Sequence, residues 1–394
     1  MKFIGAGAAG NKAVVNLVMN GIIKKDDAIL VNSTGKDFPD GFESRSVIIS
    51  DIGGCGKERS VGKEVILKYI QGHASDIVNW FDETDAQVKI YAAMGGGTGS
   101  GVANILGDFC YNKLNLDVEI IAIKGFGEDV REHQNATEFL QELDANFTIQ
   151  TVDNAKFMKA AGGNKIKAEQ MANDEICKRT IVTMCSKLRD SDQNIDETDR
   201  YKLVTNPGYE LVEYTELDDI KNEDQFARAI KDMIDNSKSL PTAPSCTCLG
   251  IMLNVKKSTL DYFDFKYTQL KETYGNCYEV YLHVQEPMAD EPEWMAVVSS
   301  GMKLPLDAVK AIYDKYMEET QKVDKTEDPF FSAAAELKGM SEDNRFDRGS
   351  RRRRVVNSSL EIDSFLDKYK NGGSADTKHD SSNGKLTTNV SKKF

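Results

Sequence analysis

Few stretches restrict a fold as much as Ala92 to Asn104, which reads AAMGGGTGSGVAN. Gly95, Gly96, Gly97, Gly99 and Gly101 leave most of this backbone without Cβ atoms, so its N–H groups can close around an anion with little steric hindrance. Thr98 and Ser100 add hydroxyl donors. Before the segment, Val88 to Ala93 is an apolar run that reads as a buried strand; after it, Val102 to Leu114 has helical apolar spacing. The order strand, glycine loop, helix puts the loop at a helix N-terminus, where orphan N–H donors and the helix dipole favour negative charge. A phosphate-sized ligand is predicted, and a purely structural glycine turn is the competing reading.

A second turn of this kind opens the chain. Lys2 to Ile4 begins a strand, Gly5, Gly7 and Gly10 follow in GAGAAG, and Asn11 to Met19 reads as a helix. This is a literal GxGxxG between strand and helix. An NAD-binding fold wants an acid at the end of its second strand to hold the ribose. Here Ala28 to Val31 ends in Asn32, Ser33 and Thr34, and the first acid is Asp37. A third candidate strand, Val47 to Ile49, leads into DIGGCGKERSVGKE. There Gly53, Gly54, Cys55, Gly56 and Lys57 suit a second phosphate-facing loop, against the alternative of a solvated turn. Walker A spacing is absent.

A helix over about Gly62 to Phe81, the strand Val118 to Ile123 and the strand Ile149 to Val152 continue the alternation. Strands alternating with helices predict a doubly wound parallel sheet, with ligands at the carboxyl ends of its strands. From Ala168 to Ser186, apolar residues at Met171, Ile176, Ile181 and Met184 predict a long helix. Beyond it, Ala227 to Ile234, Leu260 to Thr273 and Leu306 to Lys322 read as helical. Cys248 to Val255, Cys277 to Val284 and Met295 to Ser299 read as strands, which together describe a mixed α/β domain.

GGGTGSG resembles the signature GGGTG(T/S)G of the tubulin/FtsZ superfamily, and other segments follow that family's order. The resemblance implies a GTP/GDP site with Mg²⁺. It implies nucleotide contacts from Gly7, Ala8, Ala9, Gly10, Asn11 and Lys12, from Asn32 in a VNS segment similar to the family's VNT, and from the Gly53 to Lys57 loop, which in the family faces the γ-phosphate. EHQNAT resembles EPYNAT of tubulin, which makes Glu132 the ribose candidate. VDNAKF resembles IDNEAL, which assigns guanine reading to Asn154, a residue also suited to capping a helix. AEQMANDEI is similar to AFxxANDVL of FtsZ and assigns a second guanine contact to Asn173, but Glu169 stands where the family stacks an aromatic on the base. The GCGKE form looks closer to phage and plasmid tubulin-like proteins than to typical FtsZ.

Arg189 to Arg200 reads RDSDQNIDETDR. Asp190, Asp192 and Asn194 imitate an EF-hand, which then fails because Ile195 occupies the required glycine and Tyr201 the bidentate glutamate. Asn194, Asp196 and Asp199 instead form NxDxxD, which resembles NVDFAD of FtsZ, a segment that completes the site of the next subunit. Carboxylates and an amide can orient the attacking water for phosphoryl transfer. The implied activity is GTP hydrolysis within head-to-tail filaments, since such heterologous contacts do not close.

The resemblance divides the chain into a nucleotide domain (1–165), a central helix (166–188), a GTPase-activating C-terminal domain (189–325) and a disordered tail (326–394). In the tail, Arg351 to Arg354 and Leu360 to Tyr369 are candidates for binding a DNA-binding adaptor or other partner, and the latter is similar to the FtsZ peptide LDIPAFLR. The net charge of −13 argues against nonspecific nucleic-acid binding by the whole molecule. The seven Cys and four His show no zinc spacing and are read as buried free thiols and isolated imidazoles. No apolar run approaches the ~20 residues that cross a bilayer, and no signal peptide precedes MKFIGAG, so a cytoplasmic protein is expected.

Overall fold

The computed structural model describes residues 1–50, 52–184, 188–189, 194–217, 220–263, 270, 273–275, 277–320 and 362–370. These fall in two compact units, Met1–Asn357 and Ser358–Phe394. Of the expected tail, the second unit shows one helix, Ile362–Lys370, over the amphipathic segment. Arg351 to Arg354 lie outside the described residues, as do 326–361 and 371–394.

The first unit is built on one ten-stranded sheet. Its strands are β1 (Lys2–Ala6), β2 (Ala28–Asn32), β3 (Ser46–Ile48), β4 (Gln87–Ala93), β5 (Asp117–Lys124), β6 (Thr148–Asp153), β7 (Gly208–Glu216), β8 (Cys248–Asn254), β9 (Glu279–Gln285) and β10 (Trp294–Met302), in the order β3-β2-β1-β4-β5-β6-β7-β10-β8-β9. The first six are parallel and take the doubly wound order, so the direction of winding reverses between β1 and β4. β6 passes the sheet on to β7 through Thr148↔Gly208 and Ile149↔Tyr209. Strands of the expected C-terminal domain therefore extend the same sheet, with β10 antiparallel to both β7 and β8.

The helices are α1 (Gly7–Met19), α2 (Arg59–Val78), α3 (Gly97–Leu114), α4 (Val130–Gln141), α5 (Lys165–Met184), α6 (Glu197–Thr205), α7 (Glu223–Asp235), the turn α8 (Lys257–Leu260) and α9 (Leu306–Thr320). Period-two alternation sorts the strand residues between the two faces. Phe3, Leu30, Tyr91, Ile121 and Val152 pack with Val14 and Leu17 of α1 and Ala172 and Ile176 of α5. On the opposite face α3 comes so close that a Cβ on Gly107 would stand 3.3 Å from Val118 Cγ1 of β5. α2 kinks at His73, whose φ of −135° leaves the helical region.

Two expectations need correction. The helices after both glycine turns start earlier than the apolar spacing indicates, at Gly7 and Gly97, because a first turn needs no buried apolar stripe. Most of the expected helix Leu260 to Thr273 lies outside the described residues, which show the turn Lys257–Leu260 at its start and helical residues at 270 and 273–274. Cys246 and Cys277 are joined as a disulfide rather than free. Cys55, Cys110, Cys177 and Cys248 are free and buried, and burial pushes the thiols of Cys177 and Cys248 up to about 12.

The centre of the sheet is polar beneath the C-terminal half of α5. Lys89 pairs with Glu119, and Gln150 donates to both Glu119 (2.7 Å) and Glu210 (2.6 Å), which ties β4, β5, β6 and β7 together. Arg179 of α5 is buried beside them, held by Glu175 (2.9 Å), the Thr151 carbonyl (3.0 Å) and Ser239 Oγ (2.9 Å). Burial pushes the carboxyl of Glu213 up to about 7, while the nearby Arg179 opposes the shift.

Candidate functional site

The two glycine turns meet where the sheet order reverses. Gly7 has φ +71°, and a Cβ there would stand 2.8 Å from Gly99 N. A Cβ on Gly99 would in turn stand 2.9 Å from the Ala6 carbonyl, and one on Gly10 only 2.0 Å from the Tyr91 carbonyl. These approaches exclude any side chain, and they bring the N-termini of α1 and α3 side by side. Neither helix has a side-chain cap or an acid in its first turn, and their N-cap positions are Ala6 and Gly96. The first N–H groups of two parallel-dipole helices thus converge with no internal carboxylate to satisfy them, which is an arrangement suited to an anion. Beside them Gly96 faces open space, and nothing lies within 4 Å of where its Cβ would be. Ala8 and Lys12 are exposed and Ala9 is half-buried on the first turns of α1.

The loop after β3 closes a second side. Gly53, Gly54, Gly56 and Lys57 all have positive φ, from +55° to +134°, and the three glycines face open space. Cys55 is the buried anchor among them, and its carbonyl accepts from Glu58 N at 2.7 Å. Lys57 and Glu58 lie against the first loop, since a Cβ on Gly97 would stand 2.9 Å from Glu58 N. Lys57 Nζ donates to Asp129 at 2.6 Å, and this bond holds the Asp129 carboxyl below its ordinary range. Asp129 also caps α4 by accepting from Glu132 N. On α4, Glu132 folds against Gly95 and accepts from Gly127 N (3.0 Å) and Glu128 N (3.3 Å). In this structure its carboxylate shapes the 125–128 loop.

Several of the expected site residues bond within the chain. Ser100 is fully buried, and its hydroxyl donates to the Gly96 carbonyl rather than pointing outward. Thr98 shares a 2.8 Å hydrogen bond with Ser33. Asn32 donates to Asp37 at 3.1 Å and accepts from Ser33 N, a local turn that occupies its amide. The cap of the 3₁₀ turn after β6 is Asp153, which accepts from Ala155 N and from Lys124, so Asn154 does not serve as the cap. Asn154 Oδ1 is instead buried without a partner, as is Asn11 Oδ1 under the first turn of α1. Asn173 is half-buried on α5, which packs against α1. Glu169, at the place of the absent aromatic, pairs with Lys12 at 3.7 Å.

Asn194, Asp196 and Asp199 are not brought to these loops. Asp196 caps α6 by accepting from Asp199 N at 2.8 Å, so the expected acidic loop ends in a helix. Tyr201, one residue pair further along α6, bonds Asp117 at the start of β5. The glycine loops follow the carboxyl ends of β1 and β4. With β5 running in parallel for eight residues, roughly 26 Å separates its two ends. The acidic helix therefore sits at the opposite end of the sheet from the anion cradle. Asn135 of α4, which carries no signal of its own in the sequence, is buried and donates to one carbonyl in each loop, at Lys57 and Gly95.

No family model matches the chain. The cell division protein FtsZ of Methanothermobacter thermautotrophicus is 24% identical over 179 residues, 45% of this chain and 46% of that protein. The chain thus spans about half the length of this curated relative. Among solved structures, tail-truncated TubZ of Clostridium botulinum phage c-st superposes with a TM-score of 0.64 at 21% identity, covering 82% of this chain and 98% of TubZ. The fold is that of the tubulin/FtsZ superfamily. CetZ2 of Haloferax volcanii, solved as a GTPγS-bound protofilament, gives a TM-score of 0.67 at 19% identity over 82% of this chain and 99% of CetZ2. Among the described residues no helix is long and apolar enough to cross a membrane, and no group of three or more His, Cys, Asp or Glu is placed to hold a metal.

Proposed function

We propose that this protein binds and hydrolyses GTP and assembles head to tail into filaments in the cytoplasm. The observation that carries the reading is the pair of uncapped helix N-termini meeting at Gly7 and Gly99, where the sheet order reverses. Phosphates satisfy those N–H groups, with Thr98 and the Gly53 to Lys57 loop around them. The orphan amide oxygen of Asn154 and the half-buried amide of Asn173 supply the hydrogen-bond pattern that separates guanine from adenine. The chain offers no metal centre of its own among the described residues. Mg²⁺ would be held chiefly through the substrate phosphates, with few protein ligands, and would neutralise phosphate charge.

In this reading Asn194, Asp196 and Asp199 of one copy orient water at the γ-phosphate held by the next. Their position at the far end of the sheet supports it, since one copy cannot unite the two halves. A protofilament among the structural neighbours is in keeping with such stacking. Transport or positioning of plasmid or phage DNA, through an adaptor bound by Arg351 to Arg354 and Leu360 to Tyr369, is the role we favour. The likeness to a phage TubZ and the basic tail support it over a division role.

Asp37 beside Asn32 does put an acid near the end of β2, as an NAD-binding site would require. NAD is therefore the competitor to include. We expect GTP, and neither ATP nor NAD, to drive concentration-dependent light scattering and filaments visible by electron microscopy. GTP binding without polymer at any protein concentration would reject the assembly model, and binding of NAD alone would reject the nucleotide assignment.

A further inference from the structure

We propose that Asn135 is a positioning residue that fixes the Gly53 to Lys57 loop against the Gly95 to Gly101 loop, and that it thereby sets the preference of the site for GTP over GDP. The proposal rests on the GTP reading above and adds a residue to it. Asn135 Nδ2 donates to the Lys57 carbonyl at 2.9 Å and to the Gly95 carbonyl at 3.0 Å, and the residue is only 2% exposed. Its amide nitrogen carries two hydrogens on one planar atom, one for each carbonyl. A serine or threonine hydroxyl has one donor, and an aspartate of the same shape has none when ionised.

The loop that Asn135 grips needs gripping. Lys57 holds φ +63° without being glycine, a conformation that persists only where the surroundings enforce it. Three attachments enforce it here: the Asn135 bond to its carbonyl, the Asp129 bond to its ammonium, and the packing of Gly97 on its Cα. Of these the Asp129 pair is exposed, and the Gly97 contact is steric and undirected. Asn135 supplies the buried, directional link. The neighbouring Gly53, Gly54 and Gly56 bring no side chains to pack, so the loop's position depends on the buried Cys55 and on its C-terminal end at Lys57. The first loop has holds of its own, since Gly99 packs against Gly7, the Ala6 carbonyl and Ala93. Loosening the clamp therefore frees the second loop and leaves the first in place. A ligand that reaches only the first loop is unaffected; one whose terminal phosphate reaches the second is not.

The test compares wild type, Asn135→Asp and Asn135→Ala for affinity toward fluorescent GDP and fluorescent GTPγS, with thermal melting and GDP affinity reporting the integrity of the fold. We expect GDP affinity within about twofold of wild type and GTPγS affinity lowered about tenfold in both variants, on the order of the net worth of the lost bond to the Lys57 carbonyl that positions the second loop. An unchanged ratio of the two affinities would overturn the proposal. So would a proportional loss of both ligands, because the clamp would then serve the site as a whole. Failure of the wild type to bind either nucleotide would remove the GTP reading itself.

Discussion

A Cβ on Gly10 would stand 2.0 Å from the carbonyl oxygen of Tyr91, while a Cβ on Gly96 would touch nothing within 4 Å. The two glycines share a motif class and differ in what they serve. Gly10→Ala forces α1 off β4 and is expected to destabilise the fold by about 3 kcal/mol, in the range of severe overpacking. Gly96→Ala places a methyl group in the ligand space and is expected to leave urea stability within about 0.5 kcal/mol of wild type, with GTP affinity reduced. Equal stability losses in the two variants would show that the cradle is only a packing device.

Asp196 and Asp199 are separable in the same way. Asp196 caps α6, so Asp196→Ala is expected to cost about 1 kcal/mol in chemical denaturation. Asp199 makes a 3.4 Å ion pair with half-exposed Lys202, a contact of small worth. Asp199→Ala should keep stability and GTP binding, abolish phosphate release and lengthen polymer lifetime. Normal turnover in that variant would take the NxDxxD segment out of the reaction.

Glu213 gives stability a pH dependence. Its folded carboxyl titrates at about 7 against a reference of 4.5, chiefly because of burial. The native state thus keeps a proton that the unfolded chain gives up. This contribution to stability is full below the reference value and is lost as pH rises through about 7, a change on the order of 3 kcal/mol. Glu213→Gln, a neutral mimic, should flatten the urea midpoint between pH 5 and 8 and exceed wild type at pH 8. A parallel decline in both proteins would place the titration elsewhere.

The tail can be tested as a unit. Deleting residues beyond Lys325 is expected to spare GTP-dependent polymerisation, measured by sedimentation, and to abolish recruitment of an adaptor. Lost polymerisation would assign the tail to the filament itself.

Where the sequence was informative, the information was hydrophobic or steric. Apolar runs such as Val88 to Ala93 and Val118 to Ile123 lie within β4 and β5, because strands buried on both faces tolerate little else. The clustered glycines marked the cradle for the reason Gly10 shows. The start of α3 at Gly97 was hidden, since glycine disfavours helix and only the site's geometry holds it there. α6 was hidden in an acid-rich stretch, although Asp196 with Asp199 three residues on is an N-terminal signal that does not depend on apolar period. Asn135 lies in EHQNAT, but its role depends on two carbonyls 40 and 78 residues away. The Cys246–Cys277 bond was likewise out of reach, since a 31-residue separation says nothing of proximity and Cys248 is nearer in sequence.

Gln150 joins Glu119 of β5 to Glu210 of β7, and Arg179 of α5 fastens the same region to Ser239. The two halves of the molecule hence share one set of buried charges, divided unevenly between them. A fragment ending after Met184 would carry Lys89, Glu119 and Arg179 without Glu210 or Ser239, and its complement would carry the reverse. Neither is self-sufficient, so a split version of this chain should recover its fold only when both pieces are produced together.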